Sequence, residues 1–330
     1  MVQFAWMCAQ EVDQPEDLLD QALLAEEAGF DGIVTPDAFQ PWSDDGAAGF
    51  SWSWLGAVAA RTTRIRMIVT VTSALHRYHP ALLAQASATL DRLSRGRFVL
   101  GMGTGLPIHE GPFGLPSVSR GERIERMKEA AVIIRRLLDG ETVTGSTGHH
   151  RLEGAHLYSP PTHGVPIWIA AGGPISASAA GEAGDGLITS VKDVPTTSSR
   201  IIDPYRRAAL RRGVRDAPVL ATRWCILAND EAEAWQALGS LRGLRVSGSD
   251  QAVSPYELRR QAEVMDRAEV LGRFALVSDM EGLVGVYRPL VMDLGADWVA
   301  LQVRSLDSLE TIRLAGKIVL PALRDAIAPP

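Results

Sequence analysis

The chain has 330 residues, 46% hydrophobic and 22% charged, which is enough apolar material for a large buried core and excludes disordered, collagen-like and disulfide-scaffold classes. Lys and Arg total 33 against 39 Asp and Glu, a formal net charge of -6. That balance argues against nucleic acid as a partner, because affinity for a polyphosphate comes from clustered surplus basic residues.

The first residues, Met1 to Trp6, carry no positive charge ahead of an apolar run, and no window of about 18 apolar residues occurs, so neither export nor a membrane span is expected. Short apolar runs then alternate with longer amphipathic ones. The runs predict strands at Val2 to Cys8, Gly32 to Pro36, Ile65 to Thr72, Arg97 to Gly101, Pro166 to Ala171, Gly186 to Ser190, Val219 to Ala228 and Trp298 to Val303. Between them, apolar residues fall at helical spacing: Leu83, Ala86, Leu90 and Leu93, then Met127, Ala131, Ile134 and Leu138, then Leu283, Val286, Leu290 and Leu294. The strands are almost continuously apolar, as in a parallel sheet covered on both faces. Eight such units predict a single-domain (β/α)8 TIM barrel over residues 1–330, with a doubly wound open sheet as the second choice. Two segments exceed ordinary connections: about 141–165, rich in Gly, Pro and His, and 244–279, with a charged helical run from Tyr256 to Glu269. Both read as insertions following strands, where loops build the active site of a barrel.

Cys8 and Cys225 lie in apolar stretches with neither disulfide nor zinc spacing, which favours packed, reduced thiols and a cytoplasmic location. His149, His150, His156 and His163 cluster in the first insertion, but adjacent residues project differently and no recognised metal spacing is completed, so a solvated loop without metal is expected. Trp52 and Trp54 fit either a pocket mouth or a packed helix start.

Three turns at strand ends concentrate chemistry. Thr35 to Trp42 crowds a carboxylate, an amide and an indole after the second strand. Gly101-Met102-Gly103-Thr104-Gly105 ends the fourth, and the Pro107, Gly111 and Pro112 that follow argue against a dinucleotide fingerprint, which needs a helix directly after its glycines. Ala170-Ala171-Gly172-Gly173-Pro174 ends the fifth and opens a helix, where bare amides can cradle an anion.

These segments, Asp37 to Trp42, Arg77-Tyr78-His79-Pro80, Gly103-Thr104-Gly105 and Gly164 to Pro174, resemble the bacterial luciferase-like superfamily. Within it they are most similar to enzymes using the deazaflavin coenzyme F420, above all the F420-dependent glucose-6-phosphate dehydrogenases. The resemblance runs from about Phe4 to Leu323. It implies a luciferase-like (β/α)8 barrel, a homodimer, a small-molecule substrate and a ring docked in the barrel mouth, with the tail phosphate on the Gly-Gly turn. By the same resemblance Asp37, Thr70, Val71, Ser73, Thr104, Gly105, His109, Ala171, Gly172 and Gly173 bind the cofactor, and Thr70-Val71 carries a cis peptide. Glu11, Trp42 and His109 fall at catalytic positions. Trp42 also faces the substrate, with Lys192, Arg260 and Arg273 at the positions of a phosphate-gripping trio.

The sequence departs from the dehydrogenases at two positions. They place a His directly after the Asp and a Glu directly after Gly-Thr-Gly, where this chain has Ala38 and Leu106. Neither replacement can carry a proton, and a positioned acid or base is typically worth about 10² to 10⁴ in rate. A reductase of a polarised C=C or C=N bond is therefore expected. A sugar-phosphate or alcohol dehydrogenase, an FMN-dependent monooxygenase and a non-catalytic cofactor-binding protein are the alternatives.

Overall fold

The computed structural model describes residues 2–114 and 118–327. Parallel strands β1 (Gln3–Met7), β2 (Gly32–Thr35), β3 (Arg66–Val69) and β4 (Phe98–Met102) pair in chain order. An antiparallel hairpin of β5 (Val143–Ser146) and β6 (Arg151–Ala155) stands apart, and β7 (Ile167–Ala170), β8 (Gly186–Ser190), β9 (Val219–Leu227), β10 (Ala275–Val277) and β11 (Trp298–Arg304) continue the sheet. β7 joins β4, and β11 returns to β1. Closure falls to β9, whose first half pairs with β8 and whose last residues take β10 as an extra parallel neighbour. The nine-stranded sheet is thus an eight-stranded closed barrel plus β10, the expected architecture.

Both faces of each strand are apolar because each meets a different partner. Phe4 and Trp6 of β1 face the helices, whereas Ala5 and Met7 face the barrel interior. The same period of two sends Val34, Ile68, Val99, Ile188, Leu220 and Ala300 inward. Trp168 and Trp298 close the base edge to face, ring centroids 6.1 Å apart. Only glycine fits beneath them: a Cβ on Gly186 would lie 2.5 Å from Trp168 and one on Gly32 2.8 Å from Trp298. With its base filled by indoles, the barrel is open at the carboxyl ends of the strands.

Several expectations change. The third strand stops at Val69 rather than Thr72; the Thr70-Val71 peptide is cis, and Thr72 rejoins only as an isolated bridge to Met102. The first long segment follows a helix (Arg120–Leu138), not a strand, so it begins at the barrel base. Its β5–β6 hairpin climbs the outer wall until His149 pairs with Glu129 and His150 packs on His79, and none of its residues lines the barrel mouth. His156 instead meets Thr142 and Tyr158, and His163 meets Asp91 and Thr162, so the four imidazoles do not converge. The solvated-loop reading fails for His150, which is buried. The second segment does reach the mouth, and its charged run is two helices, Pro255–Val264 and Arg267–Leu271, because the Asp266 carboxylate caps the amide of Ala268 and restarts the helix. Among the described residues no helix is long and apolar enough to cross a membrane.

Candidate active site

A cavity of about 850 Å³ occupies the carboxyl-terminal mouth of the barrel, the face on which sites of this architecture are built. Asp37 after β2, Thr70 and Val71 after β3, Gly103 to Leu106 after β4 and Ala170 to Gly173 after β7 all line it. So do Glu11, Trp42, Ser73, His109 and Lys192. The structure therefore brings the three turns singled out in the sequence into one site. Ala38 is buried behind Asp37, outside the lining, whereas Leu106 lies within it.

Two of the three expected cations are elsewhere. Arg260 is exposed and lies over the Tyr256 ring, and Arg273 is exposed and pairs with Glu269 at 2.7 Å. Arg260 sits on the helix Pro255–Val264 and Arg273 just past the helix Arg267–Leu271, and neither lines the mouth. Arg245 lines the cavity in their stead.

Asp37 is not a free carboxylate. Its Oδ2 accepts from Thr72 at 2.7 Å and Trp52 at 3.3 Å and pairs with Arg77 at 2.8 Å, while Tyr78 donates to Oδ1 at 3.3 Å. Burial and this carboxylate push the Tyr78 phenol above its ordinary value. Arg77 also donates to the Asp37 carbonyl and stacks on Tyr78. Behind it, Glu110 accepts the backbone amides of His76 and Arg77, both at 3.1 Å, and burial raises its carboxyl. Asp37 thus organises one wall of the mouth and presents its neighbours as much as itself. Trp52 serves this wall from behind, and Trp54 donates to the Pro15 carbonyl; neither lines the cavity.

Glu11 has the opposite environment. Its carboxyl is buried, its Oε2 has no hydrogen-bond partner, and Ser240 engages only its backbone carbonyl. Desolvation is the largest influence and lifts its pKa to about 7. His109 stands edge to face with Trp42, centroids 5.8 Å apart, its Nδ1 unpartnered. Burial and the Arg77 charge hold it down to about 4, so it is neutral at pH 7. The same mouth therefore offers a carboxyl raised to about 7 and a neutral imidazole.

The glycines divide into two kinds. At Gly103 a Cβ would press within 2.4 Å of the Val71 side chain, and Gly105 has φ +75, so both serve close packing. Gly172 has nothing within 4 Å of a Cβ position, and Gly173 caps the helix Pro174–Ala183. That turn is bare backbone facing open space at a helix N-terminus, with Arg120 beside it.

Composition and spacing left Arg77, Glu110, Arg245, Trp224 and Gln302 unassigned, yet all line the cavity. A signal existed for Gln302, a lone amide in the apolar run of β11. None existed for Arg245, whose place depends on how the second insertion folds.

A sequence model of the luciferase-like monooxygenase family matches residues 2–285. The chain belongs to this family. Among curated luciferase-like relatives it is 32% identical to an F420-dependent glucose-6-phosphate dehydrogenase of Nakamurella multipartita, covering 98% of this chain and 97% of that one. Another protein of that name, from Nocardia farcinica, is 33% identical over 94% of each chain. Among solved structures, an F420-dependent secondary alcohol dehydrogenase in complex with an F420-acetone adduct superposes with a TM-score of 0.91 at 26% identity, over 98% of this chain and 99% of that one.

Proposed function

We propose that the chain is an oxidoreductase that uses coenzyme F420 to reduce a polarised C=C or C=N bond of a small molecule. The names of its relatives and the cofactor of its solved neighbour support the coenzyme. The residues present fit such a group. Thr70 Oγ1, His109 Nδ1 and Gln302 Oε1 are buried at the cavity wall without partners, and these are polar atoms that a ring with carbonyl and N–H edges satisfies. The Gly172-Gly173 turn is open for an anionic tail. Val71 and Gly103 to Gly105 give a ring an apolar and backbone surface to lie on, in a mouth that Trp42 and His109 also line.

When bound, the reduced coenzyme supplies a hydride. The chain supplies position, dryness and the proton. Ala38 and Leu106 carry no ionisable group, Asp37 is engaged by four side chains, and His109 is neutral at pH 7. The observation that carries the reading is the buried carboxyl of Glu11, whose Oε2 has no partner and whose pKa is raised to about 7. Protonated Glu11 donates to the carbon or nitrogen that becomes anionic as hydride adds to its neighbour; the π bond breaks, two σ bonds form, and Glu11 is left as carboxylate to be reprotonated from solvent.

The test is the reduction rate of enones and imines against pH. Because the donor is the protonated form, kcat should fall as pH rises through about 7. Glu11→Gln should lower kcat by about 10² to 10⁴ and abolish that limb. An unchanged pH profile in the variant rejects Glu11 as the donor. Alcohol dehydrogenation is the second reading, favoured by the alcohol dehydrogenase neighbour. There ionised Glu11 takes the hydroxyl proton, so activity on alcohols or glucose 6-phosphate would instead rise through the same pH.

A further inference from the structure

Arg245 ends a short 3-10 turn (Gly239–Arg245) and lines the cavity beside Leu244. Its Nε is shut off from solvent and has no hydrogen-bond partner, and no carboxylate pairs with its guanidinium among the described residues. Its neighbours are the Phe274 ring, 5.8 Å from the guanidinium carbon, and Arg273, which donates to the Arg245 backbone carbonyl and so fixes the turn without neutralising it. Desolvation lowers its pKa from the ordinary guanidinium value. The other buried cation of the mouth, Arg77, is matched by Asp37. Lys192, Arg120 and Arg200 line the rim but are exposed and solvated. A half-buried, uncompensated guanidinium is costly unless a ligand completes it.

We propose that Arg245 anchors a single carboxylate on the substrate, so that this cavity takes small organic monoacids whose reducible C=C or C=N bond lies away from the acid group. The inference names a substrate class for the reductase reading and rests on it. A planar carboxylate meets a guanidinium with two parallel hydrogen bonds and equal charge. A phosphate monoester dianion calls for further desolvated cations, and Arg260 and Arg273, which could have supplied them, are turned away and exposed.

Trp42 and Trp224 line the same cavity and report binding by their fluorescence. Butyrate, its neutral isostere butyramide and inorganic phosphate are titrated into the protein with and without F420. Butyrate should bind about tenfold or more tightly than butyramide and also more tightly than phosphate, as expected for a charge-assisted pair. The preference should vanish in Arg245→Gln and persist in Arg245→Lys. Equal binding of butyrate and butyramide by the unaltered protein, a preference that survives Arg245→Gln, or tighter binding of phosphate overturns the assignment. The unaltered protein and the Lys variant decide the question even if the Gln variant does not fold. Butyrate preference without F420 binding would reject the reductase reading and leave the anchor standing, whereas F420 binding without butyrate preference would do the reverse.

Discussion

Asp37 and Glu11 show how two carboxyls in one mouth acquire different work from their surroundings. Asp37 is surrounded by donors, and the charge of Arg77 at 2.8 Å pairs with its carboxylate. Removing that charge while leaving the carboxylate buried is the costly half of such a pair. Arg77→Met should therefore destabilise the fold by about 3 kcal/mol, the low end of the range for a broken buried pair because Thr72, Trp52 and Tyr78 still donate. Urea unfolding would show it, and Arg77→Met combined with Asp37→Asn should recover part of the loss. A single variant as stable as the parent would mean that the pair contributes nothing. At this scale the sequence disclosed residues tied to a motif: Asp37, Thr104, Gly105, Gly172 and Gly173 sit in short turns whose glycines mark them. It misplaced Arg260 and Arg273, since the side to which each points depends on how the charged run folds into two helices, and it could not reveal Arg245, a single arginine in a segment without periodicity.

The elements that build the mouth are strand ends followed by turns of unequal tolerance. Gly103 is hemmed in by Val71 and cannot accept a side chain, whereas Gly172 faces open space. Gly172→Ala should leave stability within about 0.5 kcal/mol, as for an unhindered surface change, yet weaken F420 binding by obstructing the approach to the amides before Pro174. A thermal melt alongside a fluorescence titration separates the two effects, and an unaltered F420 affinity would remove the turn from the binding site. The barrel strands were legible because each is a compact apolar run. The hairpin β5–β6 was not, because Thr144, Gly145 and Ser146 are exposed and show no apolar alternation. The end of the third strand was overextended for a related reason: Thr70 to Thr72 look like strand, but the ladder stops at Val69.

At the scale of the molecule, an inward layer of indoles fills the base and leaves the carboxyl ends of the strands hollow, so the same parallel closure that buries the core also creates the site. Eight apolar runs suggested closure without requiring it. What decides it is β9, long enough to pair with β8, β10 and β11 at once, a property that strand counting does not contain. The resemblance in the turn motifs supplied what periodicity lacked, and it also drew attention to Ala38 and Leu106, of which only Leu106 lines the mouth. The most direct measurement is titration of the purified chain with F420 and FMN side by side, following coenzyme fluorescence. F420 should bind saturably and more tightly than FMN, and Gly172→Ala should weaken it. Tight FMN binding with no saturable F420 binding would contradict the deazaflavin site and, with it, the hydride chemistry built on Glu11.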